Sequence, residues 1–151
     1  MGRALALLLP LALAACGEGD GAPVFPEDYE ATYTEVRDCR QSGDHDLNMV
    51  RVLADPAAFG PYQNRDAPFP VGAVVIKVQY DFGDADCSGP VSRVTAMEKL
   101  AEGADPDNLD WFWQSVDGDG RVLDEQLPRC AGCHQGCGVP PDGYDGTCTI
   151  P

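Results

Sequence analysis

The sequence predicts an α+β domain: an antiparallel sheet of four to five strands with helices packed on it and a short helix near the C-terminus. Three observations predict this class. Segments rich in β-branched and aromatic residues recur along the chain. No long crossover helix separates consecutive strand segments, which favours antiparallel over parallel pairing. The helix patterns are few, and one of them carries a cluster of cysteines.

The strongest strand pattern is VGAVVIKVQYDF, residues 71–82, in which β-branched and aromatic residues dominate. Residues 47–54 and 91–100 are two further strand segments. Residues 109–116 and 121–124 flank a DGDG turn and predict a hairpin. Because these segments follow one another closely, we expect a meandering sheet in which sequence neighbours pair.

Two helices are predicted before the cysteine cluster. The spacing of Tyr29, Tyr33 and Val36, with acidic residues in the first turn, predicts an amphipathic helix over residues 26–40. The segment DPAAFG, residues 55–60, predicts a short helix with an aspartate N-cap, a proline at the first position and a glycine stop.

Residues 1–15 form a predicted secretory signal peptide, because Arg3 precedes an apolar run too short to span a bilayer as a helix. The run ends in Leu-Ala-Ala-Cys, which resembles the lipobox of bacterial lipoproteins. This resemblance implies cleavage before Cys16 and a lipid on that cysteine; an ordinary signal peptide is the alternative. Residues 16–26 then form a lipidated tether, and residues 27–151 form the domain.

The charge and the leader together predict a location and a kind of partner. Gly17 stands where an aspartate would favour inner-membrane retention, so we expect an outer-membrane anchor facing the periplasm, with membrane contact only through the lipid. The net charge of −15 is a poor match to nucleic acid. A basic electron-transfer partner or a cationic small substrate fits this charge better, although acidity also serves solubility.

A C-x-x-C-H motif is formed by Cys130, Cys133 and His134, in a short predicted helix that begins at Pro128. Two thiols at this spacing can bond to the two vinyl groups of one haem, and the adjacent imidazole can ligate the iron. Haem c is attached in exported proteins, and the motif occurs once. We therefore expect one covalently bound haem.

Two other uses of the same cysteines remain open. A zinc site could take Cys130, Cys133, Cys137 and Cys148, or His134 in place of one of them, although disulfides compete with such sites in exported proteins. Alternatively, the cluster forms disulfides alone. A thioredoxin-like redox pair is disfavoured, because no βαβ pattern surrounds the motif.

Four cysteines remain once Cys16 and the C-x-x-C-H pair are set aside. In an exported protein, an even remainder suggests disulfides. Cys137 with Cys148 would close a short C-terminal loop, and Cys39 with Cys87 would tie the first helix to a loop. This connectivity is one of three that four cysteines allow.

Four motifs occur in an order that resembles the cytochrome P-460 family and the related cytochrome c′-beta proteins. They are FPVGAVVIKVQYD (residues 69–81), VTAMEKLAEGADPDNLDWFWQSVDGDGRV (94–122), CAGCH (130–134) and DGYDGTCT (142–149). The resemblance covers about residues 47–149. It implies an antiparallel sheet with helices, usually in a homodimer.

The resemblance also implies a five-coordinate haem c with His134 as proximal ligand and an open distal side. Oxidising members of the family convert hydroxylamine to nitric oxide and nitrous oxide and carry a lysine bonded to the haem edge. An external acceptor, which we expect to be a cytochrome, would take the electrons. The c′-beta relatives bind nitric oxide or carbon monoxide without this chemistry, so a non-enzymatic haem protein that binds gas or relays electrons is the alternative. A zinc- or disulfide-stabilised envelope module is the third hypothesis.

Lys77 and Glu125 are the candidate catalytic residues. The strand pattern alone predicts a solvated Lys77, whereas the resemblance places the cross-linking lysine on this strand. Val78 stands where many relatives have an acid, a departure from the family pattern. Asp124 and Glu125 precede the haem motif. In family members active on hydroxylamine, a carboxylate near this point reaches the distal pocket, and the resemblance implies that Glu125 takes this role as general base. Its alternative role is that of a surface acid.

The remaining aromatic, charged and sulfur-containing residues are expected to have packing, ion-pairing or surface positions. Trp111 and Trp113 alternate with Phe112 on a strand, so one or two of these rings should face the haem or the core. We expect Met97 in the core, Lys99 in a structural or exposed position, and His45 in an exposed loop. Arg51 and Arg129 are candidates for ion pairs with the haem propionates.

Overall fold

The computed structural model of the chain describes residues 21–137 and 143–148. The predicted signal peptide and the lipidation site at Cys16 lie outside these residues. Within the described ranges, no helix is both long enough and apolar enough to cross a membrane.

Six antiparallel strands form one sheet in which spatial order follows chain order. The strands are β1 (Thr34–Gln41), β2 (Met49–Ala54), β3 (Val74–Tyr80), β4 (Arg93–Lys99), β5 (Trp111–Asp117) and β6 (Val122–Glu125). The helices are α1 (Tyr29–Thr32), α2 (Pro56–Asn64) and α3 (Pro128–His134), and short 3-10 turns occupy Pro106–Asn108 and Gln135–Cys137. The α+β class and the antiparallel sheet are confirmed, but the sheet has six strands rather than four or five.

The extra strand comes from the segment predicted as a long helix over residues 26–40. Only Tyr29–Thr32 is helical, and Tyr33 is already extended (φ −95°, ψ 153°). From Thr34 onward the chain pairs with β2 as an edge strand, with two register irregularities. The apolar residues of this segment have helical spacing, but the segment forms a strand instead. The reason is that the exposed edge of β2 offers a full ladder of backbone hydrogen bonds.

Helix α2 begins as predicted and ends later than predicted. The Asp55 carboxylate accepts a hydrogen bond from the Ala58 backbone amide at 2.6 Å, which caps the helix. Gly60 was expected to stop the helix, but the helix continues through Pro61 and ends at Asn64, before Arg65 in a left-handed conformation (φ 54°).

Both faces of the sheet are buried, and each has its own apolar cluster. The inner face carries Ala73, Val75, Met97 and both tryptophans of β5, and α2 and α3 cover part of it. The outer face carries the alternate residues of the same strands, among them Ile76 and Val78. The side chains of β3 therefore alternate between the two faces of the sheet, as the period-2 pattern predicts. Both faces carry a buried apolar cluster.

The outer face is covered by the segment before α1. Gln114 accepts a hydrogen bond from the Val24 backbone amide at 3.0 Å and donates one to the Ala22 carbonyl at 3.1 Å. Phe25 is only 9% exposed and belongs to the outer cluster. Ala22, Val24 and Phe25 fall within the predicted tether, and all three contact the sheet.

Two disulfides join the pairs Cys39–Cys87 and Cys137–Cys148. Both pairings match the connectivity suggested by the sequence. Cys39 lies on β1 rather than on a helix, so the first disulfide ties the edge strand to the loop that follows β3. Both of its cysteines contribute to the outer cluster.

Removing this first disulfide should destabilise the domain strongly. The bond joins cysteines 48 residues apart, and the entropy of closing a loop of that length corresponds to about 4 kcal/mol. We expect the double variant Cys39→Ser, Cys87→Ser to lose about this free energy of unfolding in a denaturant titration. A loss below about 1 kcal/mol would show that the unfolded chain is not restrained by this bond.

Candidate functional site

A cavity of about 700 Å³ opens on the inner face of the sheet. Its floor consists of inner-face residues from the four central strands β2 to β5. Its walls come from α3, from the loop between β1 and β2, and from the C-terminal pair Thr147 and Cys148. The volume lies within the range of small-molecule and cofactor pockets.

Helix α3 brings the C-x-x-C-H residues to this cavity. Proline at its first position starts the helix, and buried Ala131 anchors the helix in the inner cluster. Cys130 and Cys133, three positions apart, share a helix face and both line the cavity. Cys130 is partly buried and Cys133 is exposed, and both are free thiols.

His134 is held in one tautomer at the end of α3. Its Nδ1 atom donates a hydrogen bond to the Gly146 carbonyl at 2.6 Å, because a carbonyl oxygen only accepts. Its ring packs edge-on against Trp113, with centroids 4.8 Å apart. Burial lowers the pKa of His134, which favours the neutral imidazole. The Nε2 atom is therefore left with a lone pair for a metal.

The turn that carries Gly146 is itself fixed. The Trp111 indole donates a hydrogen bond to the Asp145 carbonyl at 2.9 Å. Lys99 pairs with the Asp145 carboxylate at 2.9 Å, and its side chain is only 12% exposed. Lys99 thus has the structural position that was one of its two expected places. Sequence reasoning assigned no role to Asp145 or Gly146, although both lie in the DGYDGTCT motif.

Lys77 lies in the middle of β3 and lines the cavity. In the sheet it stands between Val52 and Thr95, on the inner face. Burial lowers the pKa of Lys77 to about 8. The strand pattern predicted a solvated lysine, but Lys77 is only partly exposed because the inner face at this point is the floor of a partly enclosed cavity.

The donor set of the cavity fits a covalently bound haem. Of the six cysteines in the described ranges, four are in disulfides, which leaves Cys130 and Cys133 with free thiols. Cys130, Cys133 and His134 line one cavity of sufficient size. In residues 21–137 and 143–148, no three histidine, cysteine or acidic side chains cluster closely enough to hold a metal ion by themselves.

Comparison with known families gives a result that agrees with this donor set. The family model for Cytochrome P460 matches residues 26–138. The chain belongs to the cytochrome P460 family. Membership in this family implies a haem cofactor. A search of curated proteins found no match.

Glu125, expected to face the cavity of this cytochrome P460 chain, lies elsewhere. Its carboxylate accepts a hydrogen bond from the Gln114 amide at 3.0 Å, and the two residues are paired across β5 and β6. Gln114 is directed to the outer face, where it binds the N-terminal segment. Glu125 is not among the residues that line the cavity. Asp124, the preceding residue of β6, is exposed and accepts a hydrogen bond from the Glu125 backbone amide.

The two arginines assigned to haem propionates have different positions. Arg51 binds Glu35 at 2.5 Å, Glu30 at 3.3 Å and the Tyr80 hydroxyl at 3.2 Å, and it does not line the cavity. Its expected role is therefore wrong, because two nearby carboxylates already neutralise it. Arg129 is exposed on α3 and does line the cavity.

Met97, Trp113 and His45 also line the cavity. Met97 is buried in the inner cluster, as expected for a core residue, and Trp113 forms part of the cavity wall against His134. His45 was expected to be exposed in its loop, but it is partly buried and lines the cavity. The sequence held no local signal for this position, because it depends on how the loop folds over the sheet.

Proposed function

We propose that this protein is a monohaem c-type cytochrome with a single haem held by α3. Cys130 and Cys133 would bond to the haem through their sulfur atoms, and His134 would ligate the iron through Nε2. The observation that carries the proposal is the meeting of two free thiols and a neutral, oriented imidazole at one cavity. Other cysteines in the described ranges are already oxidised to disulfides.

We propose further that the protein is an oxidoreductase for hydroxylamine or another small nitrogen compound. When bound, haem supplies an iron that can bind a small nitrogenous ligand and pass electrons to an external acceptor. The chain contributes a partly enclosed site: Trp113 and Met97 form apolar walls that limit access of water, and His134 is fixed by Gly146. The family supports the haem, and the position of Lys77 supports the oxidising branch of the family.

Lys77 is the residue on which the enzymatic proposal depends. Because its pKa is lowered to about 8, a useful fraction of the side chain is an unprotonated amine near neutral pH. An amine in that state is nucleophilic. It lines the same cavity as both thiols of the C-x-x-C-H motif. This placement supports a bond between Lys77 and the haem edge, as the resemblance to the oxidising members implies.

The variant Lys77→Arg tests the enzymatic proposal. In the haem-loaded protein, we expect a strongly red-shifted Soret band of the ferrous form in the wild type and its loss in Lys77→Arg. Hydroxylamine oxidation should fall about tenfold or more, equivalent to at least about 1.4 kcal/mol of activation free energy. Absorption spectra and steady-state turnover measure both effects.

Lys99→Arg is the matched control for this test. Lys99 is the other lysine of the sequence, and it pairs with Asp145 instead of lining the cavity. The control should keep the wild-type spectrum and turnover. An ordinary five-coordinate spectrum in the wild type, without turnover, would contradict the enzymatic proposal and favour a gas-binding haem protein.

One observation favours that second candidate function. Glu125, the expected proton acceptor, binds Gln114 and not the cavity, so the carboxylate chemistry of the oxidising relatives is not supplied by this residue. A non-enzymatic protein that binds nitric oxide or relays electrons needs no such group. The zinc alternative is less well supported, since Cys137 and Cys148 are bonded to each other and are not available as thiolate ligands.

The location and the partner follow from the sequence and are proposals as well. We propose that a lipid on Cys16 anchors the protein to the outer membrane, with the domain in the periplasm. The net charge of −15 supports a basic electron acceptor, because opposite charges steer association and raise its rate.

A further inference from the structure

The loop between β1 and β2 brings a second histidine to the cavity. His45 is one of only two histidines in the sequence, and the other is His134. Both line the cavity, together with Lys77. The two imidazoles come from different elements, a loop after β1 and the helix α3.

Hydrogen bonds within the loop fix the position of His45. Its Nδ1 atom is 2.7 Å from the Ser42 hydroxyl. The Ser42 amide donates to the Asn48 carbonyl at 2.9 Å, and the Asn48 amide donates to the His45 carbonyl at 3.0 Å. Because the backbone closes on itself around the histidine, the ring is held where it lines the cavity.

The ring of His45 is uncharged at neutral pH. Burial is the largest cause that lowers the pKa of His45 to about 4, and the positive charge of Lys77 acts in the same direction. Because Ser42 occupies Nδ1, the Nε2 atom is the one left for another partner. The serine hydroxyl can donate or accept, so Nε2 can serve as donor or acceptor in turn.

We propose that His45 hydrogen-bonds to a small polar ligand bound in the cavity, and so takes the place that sequence reasoning gave to Glu125. The ligand class is small anions and nitrogen–oxygen compounds that a haem iron binds. This inference rests on the proposed haem. His45 lines the cavity and has a free ring nitrogen, whereas Glu125 does not line the cavity and its carboxylate accepts a hydrogen bond from Gln114.

Cyanide and carbon monoxide, bound to the haem-loaded protein, test this role. Bound cyanide is anionic and accepts a hydrogen bond, whereas bound carbon monoxide is neutral and accepts one weakly. In His45→Leu, we expect the cyanide Kd of the ferric protein to rise about 10- to 100-fold, as for loss of a hydrogen bond to a charged group. His45→Gln, which keeps a side-chain N–H donor, should show a smaller rise. Carbon monoxide affinity should change less than about threefold in both variants.

Leu47→Asn is the matched control. Leu47 lies in the same loop, is 51% exposed and does not line the cavity; its left-handed backbone (φ 61°) suits asparagine. Cyanide affinity should be unchanged in this variant.

Three results would overturn the inference. An unchanged cyanide Kd in His45→Leu would show that the ring does not contact the ligand. Equal losses for cyanide and carbon monoxide would show a structural role instead. A six-coordinate low-spin wild-type spectrum that becomes five-coordinate in His45→Leu would show that His45 ligates the iron. Absence of haem from the wild type is distinguishable from all three, because it refutes the proposed function and this inference with it.

Discussion

The double variant Cys130→Ser, Cys133→Ser should lose all haem that survives denaturation, when it is expressed together with a cytochrome c maturation system. The two thiols are the free ones of the described cysteines, and both line the cavity. Serine keeps the size and polarity of the side chain but cannot form a thioether bond to a haem vinyl group. Haem staining of a denaturing gel measures the effect against the wild type.

A matched control separates this effect from a general loss of folding. The variant Cys39→Ser, Cys87→Ser also removes two sulfur atoms, but from the outer side of the sheet. We expect it to keep denaturation-resistant haem despite its lower stability. Haem that stays bound to the denatured Cys130→Ser, Cys133→Ser chain would contradict attachment through these thiols.

The variant Trp111→Ala should be the most destabilising single substitution of those considered. Trp111 is completely buried in the inner cluster, packs against Phe69 with centroids 5.2 Å apart, and donates a hydrogen bond to the Asp145 carbonyl. Loss of such a side chain costs about 3–5 kcal/mol in free energy of unfolding. The turn that positions His134 also loses its support. Denaturant unfolding measures the first effect.

Trp111→Phe is the control for the packing contribution. Phenylalanine keeps much of the apolar contact but removes the indole donor, so we expect a loss of about 1 kcal/mol from the missing hydrogen bond, with a further loss from the smaller ring. If Trp111→Ala unfolds within about 1 kcal/mol of the wild type, the tryptophan does not hold the turn at Asp145 as the structure shows.

The parts of the fold that the sequence predicts correctly are those with strong local patterns. The β-branched segment of β3 alternates cleanly, and Lys77 falls on the face opposite to Ile76, as alternation requires. The segment 26–40 failed because its local spacing suits a helix, whereas its pairing with β2 is decided by residues far along the chain. A pattern within one segment cannot show that another strand offers it an open edge.

The candidate site likewise contains residues that a local motif predicts and residues that only the fold brings to it. Cys130 and His134 form a local motif, so sequence alone predicts them as candidate haem-binding residues. Gly146 and His45 act through contacts between distant segments: Gly146 accepts a hydrogen bond from a residue 12 positions away, and His45 reaches the cavity through the fold of its loop. Glu125 was misplaced because the strand β6, rather than the offset from the motif, decides which face its side chain takes.

The mass of the intact, denatured protein tests the central claim most directly. After expression with a cytochrome c maturation system, we predict the mass of the processed chain plus one haem. Neither Cys130 nor Cys133 should then react with a thiol-alkylating reagent. A mass equal to that of the chain alone, with two alkylated thiols, would contradict the proposal that this cytochrome P460 domain carries a covalent haem.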